Sequence, residues 1–154
     1  MKIDLQKIKD LREKTGVSIG ECRVALEKAG GDEKKALDIL KERGVEIAEK
    51  KSERPVGAGL VDTYIHTGGK VGAMLELACE TDFVARTDDF KNLAHELAMQ
   101  VASMDPQDIS ELEKQDYIRD SSQKVKDLVT NVIAKIGENI KIVRFVRFEL
   151  GGNE

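Results

Sequence analysis

The chain has no tryptophan, and only two tyrosines, four phenylalanines, two cysteines and two histidines. So few cysteines exclude a disulfide-built scaffold. Cys22 and Cys79 both lie among apolar neighbours, where a reduced thiol behaves as a small hydrophobe. No apolar run follows a basic start, so no secretory leader is read. No apolar stretch approaches the ~20 residues needed to span a bilayer. A cytoplasmic protein without a membrane partner is the expectation. The net charge is −4, from 25 basic and 29 acidic side chains. That lacks the basic excess of a protein built to grip a phosphate backbone, so no direct nucleic-acid partner is expected.

Motifs that carry chemistry are missing too. There is no CxxC, HExxH or EF-hand loop to ligate a metal, and no Walker or GxGxxG loop to cradle a phosphate. A Cys–His nucleophile pair needs an exposed thiolate beside a base. Cys79 falls on the apolar face of an expected strand, His66 at a strand end and His95 in mid-helix. Neither a cofactor, a metal nor a catalytic residue is expected. The chain has no internal repeat and no low-complexity segment.

What is present reads as two units, residues 1–54 and 55–154. In the first, Ile3, Leu5, Ile8 and Leu11 recur at helical spacing until Gly16. Ser18-Ile-Gly-Glu21 has the spacing of a capping box, opening a second helix with Cys22, Ala25, Leu26 and Ala29 on one face. Gly30-Gly-Asp32 closes it and caps a third, carrying Ala36, Leu37, Ile39 and Leu40, with Gly44 as its expected C-terminal stop. Charged residues 46–54 read as a helical tail leading into a linker marked by Pro55, Gly57 and Gly59. Lys41, Arg43, Lys50, Lys51 and Arg54 gather there, either as a solvated face or as a dock for an acidic partner.

The second unit changes period. Leu60 to His66 and Val71 to Cys79 alternate as strands, joined by a hairpin turn at Gly68-Gly69. A loop, "ETDFVARTDDF", follows. A helix is predicted over Asp88–Met104, with Phe90, Leu93, Ala94, Leu97, Ala98 and Val101 as its core stripe, ending at Asp105-Pro106. Residues 107–120 are charged and irregular, with one short helix after Ser110. Another helix carries Val125 to Ile136, and Gly137 breaks it. In the last strand, Ile140, Ile142, Arg144, Val146 and Phe148 are read as one face. Both faces hold apolar groups, so a second surface is expected against the outer one.

Phe83 stands out. In a chain so poor in aromatics it sits among acids and hydroxyls. Either it folds back into the core, or it is an exposed wedge whose pocket belongs to another protein, with the Asp82 carboxylate beside it to rearrange hydrogen bonds or displace a group that coordinates an ion.

Three segments carry a resemblance: "LREKTGVSIGECRVAL" (Leu11 to Leu26), "ELACETDFVAR" (Glu76 to Arg86) and "KIGENIKIVRF" (Lys135 to Phe145). In order and spacing they resemble the signatures of the elongation factor Ts family, exchange factors for elongation factor Tu. The chain departs from that pattern at Gly20, Arg23, Val24 and Ala78, and carries one copy of the core subdomain where long members carry two. The resemblance implies an α+β fold: an N-terminal three-helix module similar to ubiquitin-associated domains, then a core with a three-stranded antiparallel sheet packed by helices. It implies that Thr81, Asp82, Phe83 and Val84 enter the partner beside its magnesium site. It further implies that Arg12, Ile19, Gly20, Arg23, Ile136 and Gly137 contact the partner elsewhere, and that short members pair through their sheets as homodimers. The implied activity is promotion of GDP release, not an enzyme reaction. The rival reading is a ubiquitin-associated-type adaptor without exchange activity.

Overall fold

The computed structural model describes residues 2–152; the last two positions of the expected second unit lie outside it. The first three helices are α1 (Leu5–Thr15), α2 (Ile19–Lys28) and α3 (Glu33–Lys51). Each opens on a side-chain cap that satisfies an amide lacking an intrahelical partner. Asp4 accepts from the Gln6 amide, Ser18 from the Glu21 amide and Asp32 from the Lys35 amide. Gly16, at φ 68°, ends α1 by turning its amide back to the Arg12 carbonyl. The apolar stripes meet in a small core of Ile8, Leu11, Cys22, Ala25, Leu26, Ala36 and Leu40.

Gly44 is not the stop expected of it. α3 runs through it to Lys51, and Gly44 is buried in mid-helix. It faces the second unit: an added Cβ would sit 3.5 Å from that of Ala134, an ordinary contact distance.

The remaining elements are β1 (Ala58–Ile65), β2 (Val71–Cys79), α4 (Asp82–Ala85), α5 (Asp88–Met104), α6 (Ile109–Lys114), β3 (Asp116–Tyr117), β4 (Asp120–Lys124), α7 (Val125–Ile136) and β5 (Ile140–Glu149). The fold is α+β. Its main sheet is antiparallel with strand order β1-β2-β5, and β3 pairs with β4 separately. One face of the main sheet, including Ala73, Leu75, Leu77, Cys79, Ile140 and Ile142, packs on Phe90, Leu93, Ala94, Leu97, Ala98 and Val101 of α5.

The single-face reading of β5 is corrected. Its register against β2 shifts between Glu76 and Leu77, where Glu76 opposes Arg144 but Leu77 opposes Ile142. Val143 is therefore an extra residue, and a bulge reverses the alternation beyond it. Ile140 and Ile142 face the core, while Arg144, Val146 and Phe148 line up with Glu76, Met74 and Gly72 on the opposite face.

Two segments hold more order than their patterns predict. The loop after β2 contains the one-turn helix α4. The stretch 107–120 holds α6, which starts one residue before Ser110, and then enters the β3–β4 hairpin. That hairpin has little apolar content to reveal it. It is tied down by Gln100 of α5, a fully buried side chain that donates to Gln115 Oε1 (3.1 Å) and the Asp116 carbonyl (3.0 Å) and accepts from the Ile118 amide (3.0 Å). Among the described residues no helix is long and apolar enough to cross a membrane.

Candidate functional site

The Thr81–Val84 turn hangs from the end of β2. Cys79 is fully buried, and its Sγ donates to the Thr81 carbonyl at 3.2 Å. Burial pushes the Cys79 thiol up from its ordinary range, and the nearby Glu138 carboxylate adds to the effect. It is a structural thiol, inert in the folded chain. Thr81 then caps α4 by accepting the Val84 amide at 3.4 Å. Six residues later Thr87 repeats the device for α5, accepting the Phe90 amide at 3.3 Å. Two caps in quick succession hold the segment as a helical turn followed at once by a long helix.

This geometry sorts the side chains. Val84 and Ala85 point inward and are buried. Asp82 is exposed, and the Phe83 ring is 81% exposed. Of the two readings of Phe83, the structure excludes the folded-back one. A benzyl group left in water forgoes roughly 1.5–3 kcal/mol of burial, so its position has no rationale in the stability of the isolated chain.

The turn is fastened to the segment after α7. The Glu138 carboxylate accepts from the amides of Glu80 (3.1 Å) and Thr81 (3.0 Å), and from Thr81 Oγ1 (2.8 Å). The Glu80 carboxylate returns the contact, accepting from the Asn139 amide at 2.8 Å. Asn139 is itself buried, and its Nδ2 donates to the carbonyls of Ser52 (3.3 Å) and Arg54 (2.8 Å) in the linker. Arg54 also lies 3.7 Å from Glu80 Oε1. Residues 138 and 139 thus join the turn, the linker and the end of α7.

Just before them, Ile136 and Gly137 are half-buried at the helix end, with Gly137 at φ 76° in the left-handed region that lets the chain reverse into β5. Lys135 pairs with Asp89 at the start of α5 (3.0 Å) and lies along Gly16, where an added Cβ would approach it to 2.9 Å.

The structure thus brings Thr81–Val84 and Ile136–Gly137 together through Glu138. Arg12, Ile19, Gly20 and Arg23 lie apart on α1 and α2. All four are exposed, Arg23 is paired with Glu27 at 3.2 Å, and the space around Gly20 is open. Among the described residues no hydrogen bond or ion pair joins these four to the turn. Of the basic residues near the linker, Arg43 pairs with Glu46 and Arg54 with Glu80.

Glu80, Glu138 and Asn139 were not singled out in the sequence. All three stand inside quoted motif segments, but their pairing spans 57 to 59 residues of chain, and no local periodicity reports it. Among the described residues no group of three or more His, Cys, Asp or Glu is placed to hold a metal ion.

A family model described as elongation factor TS matches residues 80–154, which include the Thr81–Val84 turn and Glu138 but not the α1–α2 residues. Elongation factor Ts of Thermoanaerobacter sp. (strain X514) is 42% identical over 194 aligned positions, which cover 97% of this chain and 95% of that protein. Elongation factor Ts of Thermotoga petrophila is 42% identical, covering 98% of each chain, and that of Thermodesulfovibrio yellowstonii is 40% identical, also covering 98% of each. The aligned span is longer than the 154 residues of this chain, so these relatives carry internal positions that it lacks. Motif geometry and overall similarity converge: the chain belongs to the elongation factor Ts family.

Proposed function

We propose that the chain promotes release of GDP from elongation factor Tu. In this reading it docks through the exposed α1–α2 surface of Arg12, Ile19, Gly20 and Arg23, and through Ile136 and Gly137. Asp82 and Phe83, at the head of the turn held by Thr81 and backed by Val84, enter the partner beside its magnesium site. The observation that carries the reading is the Phe83 ring, 81% exposed on a helical turn held by two caps and a carboxylate clamp. An anchor prepared in this way loses little conformational freedom on binding.

The physics follows from how a GTPase holds its nucleotide. Backbone amides and a magnesium ion compensate the diphosphate charge. A ring wedged between elements of the partner moves the groups that hold the ion, and the Asp82 carboxylate competes for the hydrogen bonds around it. The less compensated diphosphate then leaves faster. No covalent bond forms or breaks, so the chain acts by binding and not as an enzyme, and needs no cofactor of its own. Linkage sets the sign: if the chain prefers the empty partner, GDP weakens its grip by the same factor.

Two core clusters, one within residues 8–40 and one within residues 73–142, support a division into units 1–54 and 55–154, with Ile47 and Ala48 at the end of α3 packed on the second. The outer sheet face supports a homodimer. Val61, Ile65, Met74, Val146 and Phe148 are exposed there beside the Glu76–Arg144 ion pair, and a second copy is the occupant proposed, since apolar residues on this face span all three strands. The setting is cytoplasmic translation, with no membrane or direct nucleic-acid contact required.

The test is the rate at which fluorescent GDP leaves purified elongation factor Tu. Added protein should accelerate it, and Phe83→Ala or Asp82→Ala should slow the accelerated rate while leaving the fold intact. Unchanged rates in both variants remove the wedge. An adaptor without exchange activity would bind equally well with and without nucleotide, so a pull-down against both states separates the two readings.

A further inference from the structure

We propose that Glu138 is the positioning residue of the Asp82–Phe83 wedge, a role that rests on the exchange reading above. Its carboxylate accepts three hydrogen bonds from two consecutive residues: the Glu80 amide, the Thr81 amide and the Thr81 hydroxyl. A carboxylate only accepts, so the Thr81 hydroxyl proton must point at Glu138. That leaves a lone pair on Thr81 Oγ1 for the Val84 amide, at 3.4 Å. One carboxylate therefore fixes both the backbone entering the turn and the rotor that caps it. Phe83 lies between the cap and the amide it accepts.

Stability alone does not account for this arrangement. Thr81 is exposed, so water would satisfy its freed amide and hydroxyl if the carboxylate were removed. What water would not supply is a fixed direction for the turn. Charge-assisted hydrogen bonds to a single rigid acceptor hold that direction. The acceptor is itself anchored, because the next residue, Asn139, is buried and bonded to the Glu80 carboxylate and to the linker carbonyls of Ser52 and Arg54. Loss of Glu138 should leave a folded protein whose ring samples several directions. An exposed ring in several directions still docks, but spends less time where it disturbs the ion.

The experiment measures GDP release from elongation factor Tu across a range of concentrations of this protein. It separates the maximal rate from the half-saturating concentration. Wild type, Glu138→Ala, Glu138→Gln and Phe83→Ala are compared. Misplacement of a reacting group by about 1 Å costs up to about 100-fold in rate, and Glu138→Ala is expected to lower the maximal rate about tenfold. Its half-saturating concentration should stay within about twofold, because the α1–α2 surface is untouched and the Gly137 turn beside it is held by its own bond to the Ile133 carbonyl. Glu138→Gln keeps an oxygen for the two amides and should recover to within about threefold of wild type. Amide hydrogen exchange at Glu80 and Thr81 should speed up in Glu138→Ala without any partner present.

A slow Phe83→Ala with a fully active Glu138→Ala overturns the positioning role and leaves the wedge standing. Loss confined to the half-saturating concentration also overturns it. If Phe83→Ala and Glu138→Ala are both fully active, the wedge fails and takes this inference with it; if the wild type itself does not accelerate release, the exchange reading fails as well. Should Glu138→Ala fold poorly, Glu138→Asp keeps the charge on a shorter arm. It must then lower the maximal rate at least about threefold, or the inference is wrong.

Discussion

Gly44 of α3 lies against Ala134 of α7, where the N-terminal helices meet the core side of the chain. An added Cβ at 44 would lie 3.5 Å from Ala134 and 3.9 Å from Thr130. Both are ordinary contact distances. Gly44→Ala should therefore fit, and because alanine is the better helix former it should stabilise the protein by up to about 1 kcal/mol. Gly44→Leu has no such room, and should push α3 from α7 at about 1–3 kcal/mol. Thermal melts of the two variants check the opposite signs. A destabilised Gly44→Ala would mean that the two helices tolerate no added methyl.

Two phenylalanines seven positions apart should behave in opposite ways. Phe83 is 81% exposed and Phe90 fully buried in the main core. Phe83→Ala should leave the denaturation midpoint nearly unchanged, within about 0.5 kcal/mol, as for surface substitutions generally. Phe90→Ala should cost about 3–5 kcal/mol. Chemical denaturation measures both. If the exchange reading holds, Phe83→Ala is also the variant that slows GDP release, so stability and activity separate at these two sites.

On the outer face of the sheet, Phe148 is 74% exposed, with its strand neighbour Val146 also uncovered. If a second copy covers this face, a charge at its most exposed aromatic should break the pairing. Phe148→Lys is expected to shift the protein from dimer to monomer in sedimentation velocity with little loss of secondary structure, since the side chain bears on no core residue. A wild-type protein that sediments as a monomer at micromolar concentration would rule out the dimer.

Alkaline pH should loosen the β3–β4 hairpin. The Tyr117 hydroxyl donates to Glu96 Oε2 at 2.5 Å, and Arg119 Nε donates to the same oxygen at 2.7 Å. Burial, then the hydrogen bond to the Glu96 carboxylate, pushes the Tyr117 phenol from its ordinary 10 up to about 12. The folded chain therefore holds the proton more tightly than the unfolded chain. The resulting stability is fully present below pH 10 and is lost as pH rises toward about 12. Denaturant midpoints taken across that window should fall in the wild type. The fall should be smaller in Tyr117→Phe, and equal falls in the two would assign the loss to other groups.

The elements were legible because their causes are local. Asp4, Ser18, Asp32, Thr81 and Thr87 each cap a helix through an amide two or three residues away. The α5 stripe from Phe90 to Val101 states its buried face in its own spacing. The turn with Phe83 was legible as an anomaly, an aromatic among polar residues, though its pattern alone left it open whether the ring faced in or out.

What stayed hidden has distant causes. A glycine in a helical pattern reads as a stop unless one knows that another helix passes over it, and Gly44 meets Ala134 only in the folded chain. The alternation of β5 reads as one face unless the bulge opposite Glu76 and Leu77 is known, because a single extra residue reverses every position beyond it. The β3–β4 hairpin has almost no apolar signature, since a buried glutamine on α5 holds it by hydrogen bonds.

The sequence by itself determined the long helices, the three strands of the main sheet and the polar setting of Phe83, since each depends on residues within a turn or two of one another. Only the tertiary structure decided where that ring points. Its direction is set by a carboxylate 57 residues further along the chain, and a hydrogen bond between such distant residues exists only after the sheet has brought the end of β2 beside the end of α7.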